Sequence, residues 1–353
     1  MRQSIQLLTP YKVKPEFDMV RLDSNEAFMS LLSSADFSKL GETLINRYPA
    51  ESSDRLVEAY ARFAGFPEGN ILPGNGSDEL ISLISQYALD PGDEVIVFEP
   101  DFSMYEKNAL IMGAEVTKIQ LNDDFTLPLE VVKSEINERK PRLLFLSNPN
   151  NPTGQLYSEA EIEELIAAMN QIGGILVLDE AYMDFAGESP FTGRVLEYDN
   201  LIILRTASKA LGMAALRLGF LIANDRLVEG ISCIKPPYNV NTISALIGTQ
   251  LMEKADVLDQ FLLLQLEQIA ELEEIMSAFA AQIKEAYLYP SSTNFFLMKF
   301  TRARELANFL YEKRIKIRFF DDESLQAVRI SAGTKEEHDS LRAALNEWSE
   351  MYA

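Results

Sequence analysis

Four short apolar runs in the middle of the chain limit its fold more than any other feature: Glu94-Val-Ile-Val-Phe98, Leu143-Leu-Phe-Leu146, Ile175-Leu-Val-Leu178 and Leu201-Ile-Ile-Leu204. Each is too short for a helix, is bounded by polar or turn residues, and shows no polar–apolar alternation. Runs of this kind read as strands covered on both faces. Helical spacing appears between them, as in Glu159–Asn170, where the apolar positions are Ile162, Leu165, Ile166 and Met169. Buried strand alternating with helix predicts an α/β fold: a doubly wound, mostly parallel sheet with right-handed crossovers.

After about Asn241 the texture changes. Long Leu-, Glu- and Ala-rich helical stretches cover Ile243–Leu251 and Ala255–Tyr287. Then come the run Asn294-Phe-Phe-Leu-Met-Lys-Phe300, a helix near Arg304–Lys313, a strand pair at Ile315–Phe320 and Ala327–Ser331, and a terminal helix, together a smaller α+β unit. The chain of 353 residues exceeds the roughly 100–200 of one typical domain. We therefore expect an arm over 1–30, where Pro10 and Pro15 interrupt any periodicity, a large domain over 31–255 and a small domain over 256–353. The long helix joins the two.

Composition removes whole classes of function. With 54 acidic against 32 basic residues the net charge is −22, which opposes broad contact with nucleic acid or anionic lipid. Anionic small molecules must then find locally placed arginines. No apolar stretch approaches the ~18 residues of a membrane span, and Met1-Arg-Gln-Ser-Ile-Gln lacks the apolar run of a signal peptide. The single cysteine, Cys233, allows no intramolecular disulfide. A cytoplasmic location is the resulting expectation. The single histidine, His338, falls at the polar start of the terminal helix and reads as solvated. Triads, two-His zinc sites and a His general base are thereby disfavoured, no metal site is expected, and proton transfer falls to a lysine or a carboxylate.

In an open α/β sheet, ligands bind beyond the carboxyl ends of the strands, at the switch in strand order. Phe98 is followed by Glu-Pro-Asp-Phe-Ser-Met-Tyr (99–105), Leu146 by Ser-Asn-Pro-Asn-Asn-Pro-Thr-Gly (147–154), Leu178 by Asp179-Glu-Ala-Tyr182, and Leu204 by Arg-Thr-Ala-Ser-Lys-Ala (205–210). A fifth element, Pro73-Gly-Asn-Gly-Ser-Asp-Glu-Leu-Ile81, is a glycine turn feeding an amphipathic helix, whose first N–H groups suit a phosphate. The spacing matches neither Gly-x-Gly-x-x-Gly nor a P-loop. A phosphate seat, a flat aromatic, an aspartate, a phenol with an amide and one strand-end lysine together meet the needs of pyridoxal 5'-phosphate.

These residues resemble fold-type I pyridoxal-phosphate enzymes, the aspartate-aminotransferase-like class I/II superfamily, and within it the histidinol-phosphate aminotransferases. The likeness runs from Thr9-Pro-Tyr11 to Val328-Arg-Ile-Ser-Ala-Gly333. Asn151-Pro-Thr-Gly154, Asp179-x-x-Tyr182 and Ser208-Lys209 mark the superfamily. Leu22-Asp-Ser-Asn-Glu26, Arg47-Tyr-Pro49, Gly76-Ser-Asp-Glu79 and Lys235-Pro-Pro-Tyr-Asn-Val-Asn241 mark the narrower group.

The resemblance implies roles. Lys209 is the Schiff-base lysine and proton carrier, Asp179 the partner of the ring nitrogen, and Asn151 and Tyr182 the partners of the ring oxygen. Phe102 stacks on the ring. Gly76, Ser77, Asp78, Thr206, Ser208 and Arg217 form the phosphate seat, joined by Tyr48 from a second subunit, which implies a homodimer. Arg329 clamps a substrate carboxylate, Arg318 and Tyr11 serve the phosphate end of histidinol phosphate, and Asn25 lies beside the substrate. Glutamate must fit the same pocket, its γ-carboxylate at the phosphate locus. The group usually reads Asn-Glu-Asn-Pro where this chain has Asn25-Glu-Ala-Phe28, a change on the substrate side. The implied activity is ping-pong transamination of histidinol phosphate with 2-oxoglutarate. An aromatic-amino-acid aminotransferase, a threonine-phosphate decarboxylase and a cofactor-binding regulatory module stand as alternatives.

Overall fold

The computed structural model describes residues 18–49, 52–321 and 325–352; Tyr11 lies outside the described residues. In chain order, β1 (Val20–Leu22) precedes α1 (Ser52–Ala64), β2 (Ile71–Gly74), α2 (Ser77–Ala88), β3 (Glu94–Glu99), α3 (Met104–Met112), β4 (Glu115–Gln120) and α4 (Leu129–Arg139). There follow β5 (Leu143–Ser147), α5 (Glu159–Gln171), β6 (Ile175–Asp179), α6 (Met183–Ala186), β7 (Leu201–Thr206), β8 (Gly219–Ala223), α7 (Asp225–Ser232) and α8 (Thr242–Met252). Strands β2 to β8 form one seven-stranded sheet in the order β2-β8-β7-β6-β5-β3-β4. The ladders from β4 through β7 are parallel, whereas β8 runs antiparallel to both β7 and β2.

The four apolar runs are the central strands, and their lack of alternation has a direct cause. Val95, Val97, Leu143, Phe145, Val177 and Ile202 enter one core, while Ile96, Phe98, Leu144, Leu146, Leu176 and Ile203 enter the other. Helices cover both faces, so these side chains are all buried, and truncating any one of them to alanine costs about 2–5 kcal/mol. Helix α5 starts where a capping box sets it: Ser158 accepts from the Glu161 N–H, and the Glu161 carboxylate accepts from the Ser158 N–H at 2.8 Å. Strands β2 and β4, at the two edges of this sheet, and β8, between β2 and β7, were not among the expected strands. Each is flanked by loop residues that dilute its pattern, and β4 alternates only loosely.

The second sheet holds five strands in the order β1-β11-β12-β10-β9. It comprises β9 (Tyr287–Leu288), β10 (Phe295–Lys299), β11 (Ile315–Phe320) and β12 (Ala327–Ser331), with α9 (Ala255–Ala280), α10 (Ala303–Glu312) and α11 (Lys335–Tyr352). Helix α9 serves two cores: Leu258 and Phe261 pack with the large sheet, and Leu272, Ile275, Met276 and Phe279 with the small one. It ends at Ala280 rather than running to Tyr287, because residues 281–286 form i→i+3 turns with Glu285 at φ +63°.

Two expectations are corrected. Residues 20–22, read as part of an arm without periodicity, form an edge strand paired in parallel with β11, Leu22 opposite Ile317. Three residues are too few to show a period, and their partner lies near the other end of the sequence. His338, read as solvated, is fully buried. It shares one face of α11 with Leu341 and Leu345, at helical spacing, and that face packs on α9. Its Nε2 accepts the Gly333 N–H at 2.9 Å, which leaves the ring proton on Nδ1, 3.5 Å from Glu271 Oε2. Burial lowers its pKa and favours the neutral ring.

Candidate active site

A cavity of about 490 Å³ opens at the carboxyl ends of β3, β5, β6 and β7. The strand order reverses between β3 and β5, so the loops after these two strands diverge and leave the crevice between them. Residues 23–25 and the strands β11 and β12 face it from the other side. Each central strand runs one or two residues past its apolar stretch, which puts Ser147, Asp179 and Thr206 on the ladders themselves rather than in loops. Asp179 pairs in register with Ser147 on β5 and Leu204 on β7. Its backbone is therefore fixed on both sides.

The Asp179 carboxylate is buried. Oδ2 accepts from the Tyr105 hydroxyl at 2.8 Å, and Oδ1 from the Ala181 N–H at 3.1 Å. Burial pushes its pKa up to about 6, opposed by these two donors and reinforced by the charges of Asp78 and Glu180. A second acid, Asp101, lies beside it. It accepts from the Phe102 N–H at 2.7 Å, the Ser147 N–H at 3.3 Å and the Ser147 hydroxyl. Burial outweighs those donors and pushes Asp101 up to about 7, with the Asp179 charge adding to the rise.

Folded Asp101 thus holds its proton more tightly than the unfolded chain does. Stability is fully present below the ordinary value of 3.8 and falls as pH rises through about 7. Asp101→Asn removes the titration. The ligand-free variant should be more stable than wild type by on the order of 2–4 kcal/mol at pH 8, with the gain gone near pH 4. Urea unfolding at both pH values measures this, and a difference that does not change with pH would refute it.

The helix α2 is capped by Gly76, whose φ is +84°, and no side chain caps its start. A Cβ on Gly76 would come within 2.6 Å of Arg217 Nη2, and one on Gly219 within 2.5 Å of the Ser77 nitrogen. The two glycines let the first turn of α2, the guanidinium and β8 approach closely. Arg217 Nη2 donates to Asp78 Oδ2 at 3.2 Å. The Thr206 hydroxyl lies 3.0 Å from Ser208 Oγ and 3.3 Å from the Leu218 carbonyl. Ser77, Asp78, Thr206, Ser208 and Arg217 all line the cavity. Two hydroxyls, a guanidinium and a helix start converge there, a combination suited to a phosphate.

Lys209 Nζ donates to the Ser24 carbonyl at 3.2 Å and lies 5.6 Å from the centroid of the Tyr182 ring. The Tyr182 oxygen accepts from Asn25 Nδ2 at 2.9 Å. Asn25 is itself buried, at φ +53°, a conformation that asparagine tolerates. Its Oδ1 takes the Ser331 hydroxyl at 2.8 Å, and its carbonyl takes Asn294 Nδ2 at 3.2 Å. Arg329, also buried, donates through Nη1 to Asn151 Oδ1 and through Nη2 to the Asp23 carbonyl at 2.8 Å. Arg318 sits directly opposite Arg329 across β11 and β12. Like charges so placed repel, and the Phe320 ring lies against both, with centroid distances of 5.5 and 5.7 Å.

Phe102, Asn151, Tyr182, Lys209, Arg318 and Arg329 therefore face one cavity. Tyr48 does not line it: the ring is 79% exposed and stacks on Tyr238 at 5.0 Å. Sequence reasoning passed over Asp101, Tyr105 and Phe320. Tyr105 follows Phe102 by three residues in the same segment, and nothing in the sequence marks which of the two turns toward Asp179.

The model of the family described as aminotransferase class I and II matches residues 28–345. A histidinol-phosphate aminotransferase from Clostridium novyi is 38% identical over 96% of this chain and 94% of its own length. One from Clostridium kluyveri is 36% identical, covering 96% of each chain. Among solved structures, the histidinol-phosphate aminotransferase of Sinorhizobium meliloti, in complex with pyridoxal-5'-phosphate, superposes with a TM-score of 0.86 at 25% identity. It covers 100% of this chain and 98% of that one. With the match spanning nearly the whole sequence, the chain belongs to the aminotransferase class I and II family of pyridoxal-phosphate-dependent enzymes.

Proposed function

We propose that this chain transfers an amino group between histidinol phosphate and 2-oxoglutarate in a ping-pong cycle, as a homodimer in the cytoplasm. The cavity suits pyridoxal phosphate on three counts: a buried carboxylate at the end of β6, a helix start without a side-chain cap, and a cradle that a Cβ on Gly76 would fill. The observation that carries the substrate reading is the pair Arg318 and Arg329, opposite one another on the wall of the cavity that holds Lys209. Histidinol phosphate has no carboxylate. Its dianionic phosphate extends beyond the carbon where an amino acid bears one, and a dianion is matched by two guanidinium groups where a carboxylate needs one.

When bound, pyridoxal phosphate supplies an aldehyde that takes up the amino group and an electron-poor ring that accepts the Cα electron pair. The chain does the rest. Asp179 would hold the ring nitrogen cationic, Phe102 would cover one ring face, and Ser77, Asp78, Thr206, Ser208 and Arg217 would hold the phosphate. Asn151 Oδ1 is engaged by Arg329, so the Asn151 amide presents its N–H groups, beside the Tyr182 hydroxyl, for the ring oxygen. Lys209 would hold the aldehyde, and its Nζ would carry the proton at the substrate Cα. Tyr48, exposed beside exposed Leu44 and Ile45, supports a second copy covering this patch and receiving the phenol.

The test is Arg318→Ala assayed with histidinol phosphate and with phenylalanine. A fall of about 10- to 100-fold in kcat/KM confined to the phosphorylated substrate is expected. Equal losses on both substrates, or a wild type that prefers phenylalanine, would turn the assignment toward an aromatic-amino-acid aminotransferase.

A further inference from the structure

We propose that Tyr105 is a positioning residue that sets the orientation and charge of the Asp179 carboxylate toward the cofactor ring nitrogen, an inference that rests on the pyridoxal phosphate reading. Tyr105 sits in the first turn of α3 and is fully buried. Its ring is clamped, stacked on Phe145 at 4.9 Å and 5° and edge-on to Phe102 at 5.6 Å and 81°. Those apolar neighbours would accept phenylalanine equally well, so packing alone does not account for the hydroxyl. That hydroxyl donates to Asp179 Oδ2 at 2.8 Å in a buried setting.

With Oδ1 held by the Ala181 N–H and Oδ2 by Tyr105, the carboxylate cannot turn about its last bond. Its plane, and hence the direction of its remaining lone pairs, is fixed before any ligand arrives. The donor also stabilises the anion, whereas burial and the negative charges of Asp78 and Glu180 favour the neutral acid. A neutral acid cannot hold a pyridinium. Tyr105 therefore opposes burial and two carboxylates at the point where the cofactor needs a counter-charge, and a charge-assisted hydrogen bond in such a site is strong enough to matter.

The experiment compares cofactor affinity rather than turnover. Full-length wild type and Tyr105→Phe, freed of cofactor, are titrated with pyridoxal phosphate and with 1-deazapyridoxal 5'-phosphate, in which C–H replaces the ring nitrogen. Tyr105→Phe should weaken pyridoxal phosphate by about 10- to 100-fold and leave the analogue within about twofold, because the analogue offers the carboxylate nothing to hold. In an Asp179→Asn background the same change should cost pyridoxal phosphate less than about twofold. Equal weakening of both ligands, or no weakening of pyridoxal phosphate, overturns the role of Tyr105 while leaving the cofactor reading intact. A wild type that binds neither ligand removes the cofactor reading and the proposal together.

Discussion

Lys209→Met is expected to lower turnover by at least about 10⁴-fold, the combined loss of a covalent partner and a proton carrier. Lys209 follows β7 directly, and its Nζ lies within reach of the Ser24 carbonyl and over the Tyr182 ring. Lys118 also lines the cavity, but it is held by Glu106 at 2.9 Å and belongs to the edge strand β4. It cannot take over without breaking that pair. Single-turnover mixing with glutamate measures the loss, and small primary amines in the buffer should restore part of it by carrying the proton. More than a hundredth of wild-type turnover in the variant would rule out Lys209 as the reacting amine.

Arg329→Lys should cost about 10²- to 10³-fold in kcat/KM for every amino-acid and keto-acid substrate alike. Lysine keeps the charge but not the planar fork. The guanidinium is anchored by the Asp23 carbonyl, lies 5.0 Å from the Phe295 ring, and fixes the Asn151 amide through Nη1. On the proposed reading the substitution would remove a bidentate contact to substrate, and it would also free the Asn151 amide. The pattern separates it from its neighbour: Arg318→Ala is selective for the phosphorylated substrate, and Arg329→Lys is not. A selective loss on Arg329→Lys would mean that the two arginines had been assigned the wrong way round.

Much of this site is legible in one dimension because the central strands are short, wholly apolar and terminated by polar residues. A strand buried on both faces ends within a residue or two of its apolar run, and in a parallel sheet all such ends lie on one side. Asp179, Asn151 and Lys209 could therefore be gathered from their positions alone. Asn25 could be named but not understood, since its partners Tyr182, Asn294 and Ser331 are distant in the chain. Tyr105 and Asp101 were hidden for another reason. Each sits in a segment already given one role, the aromatic cover of Phe102, and nothing in a sequence shows which of two neighbouring side chains turns toward a carboxylate. His338 was misread because a polar residue on an apolar helical stripe was taken for part of the opposite face.

The pairing of β1 with β11 has a consequence for biosynthesis. Asn25 and Ser331 are 306 positions apart, and the strand that carries residues 20–22 has no partner until residues 315–317 exist. A ribosome delivering residues in order would hold a nearly finished large sheet whose catalytic wall is still missing one side. Assembly of the finished cavity must then wait for the last stretch of translation, and a product halted around residue 300 would carry Lys209 and Asn25 without the Ser331 hydroxyl and the β11 partner that hold this asparagine beside Tyr182.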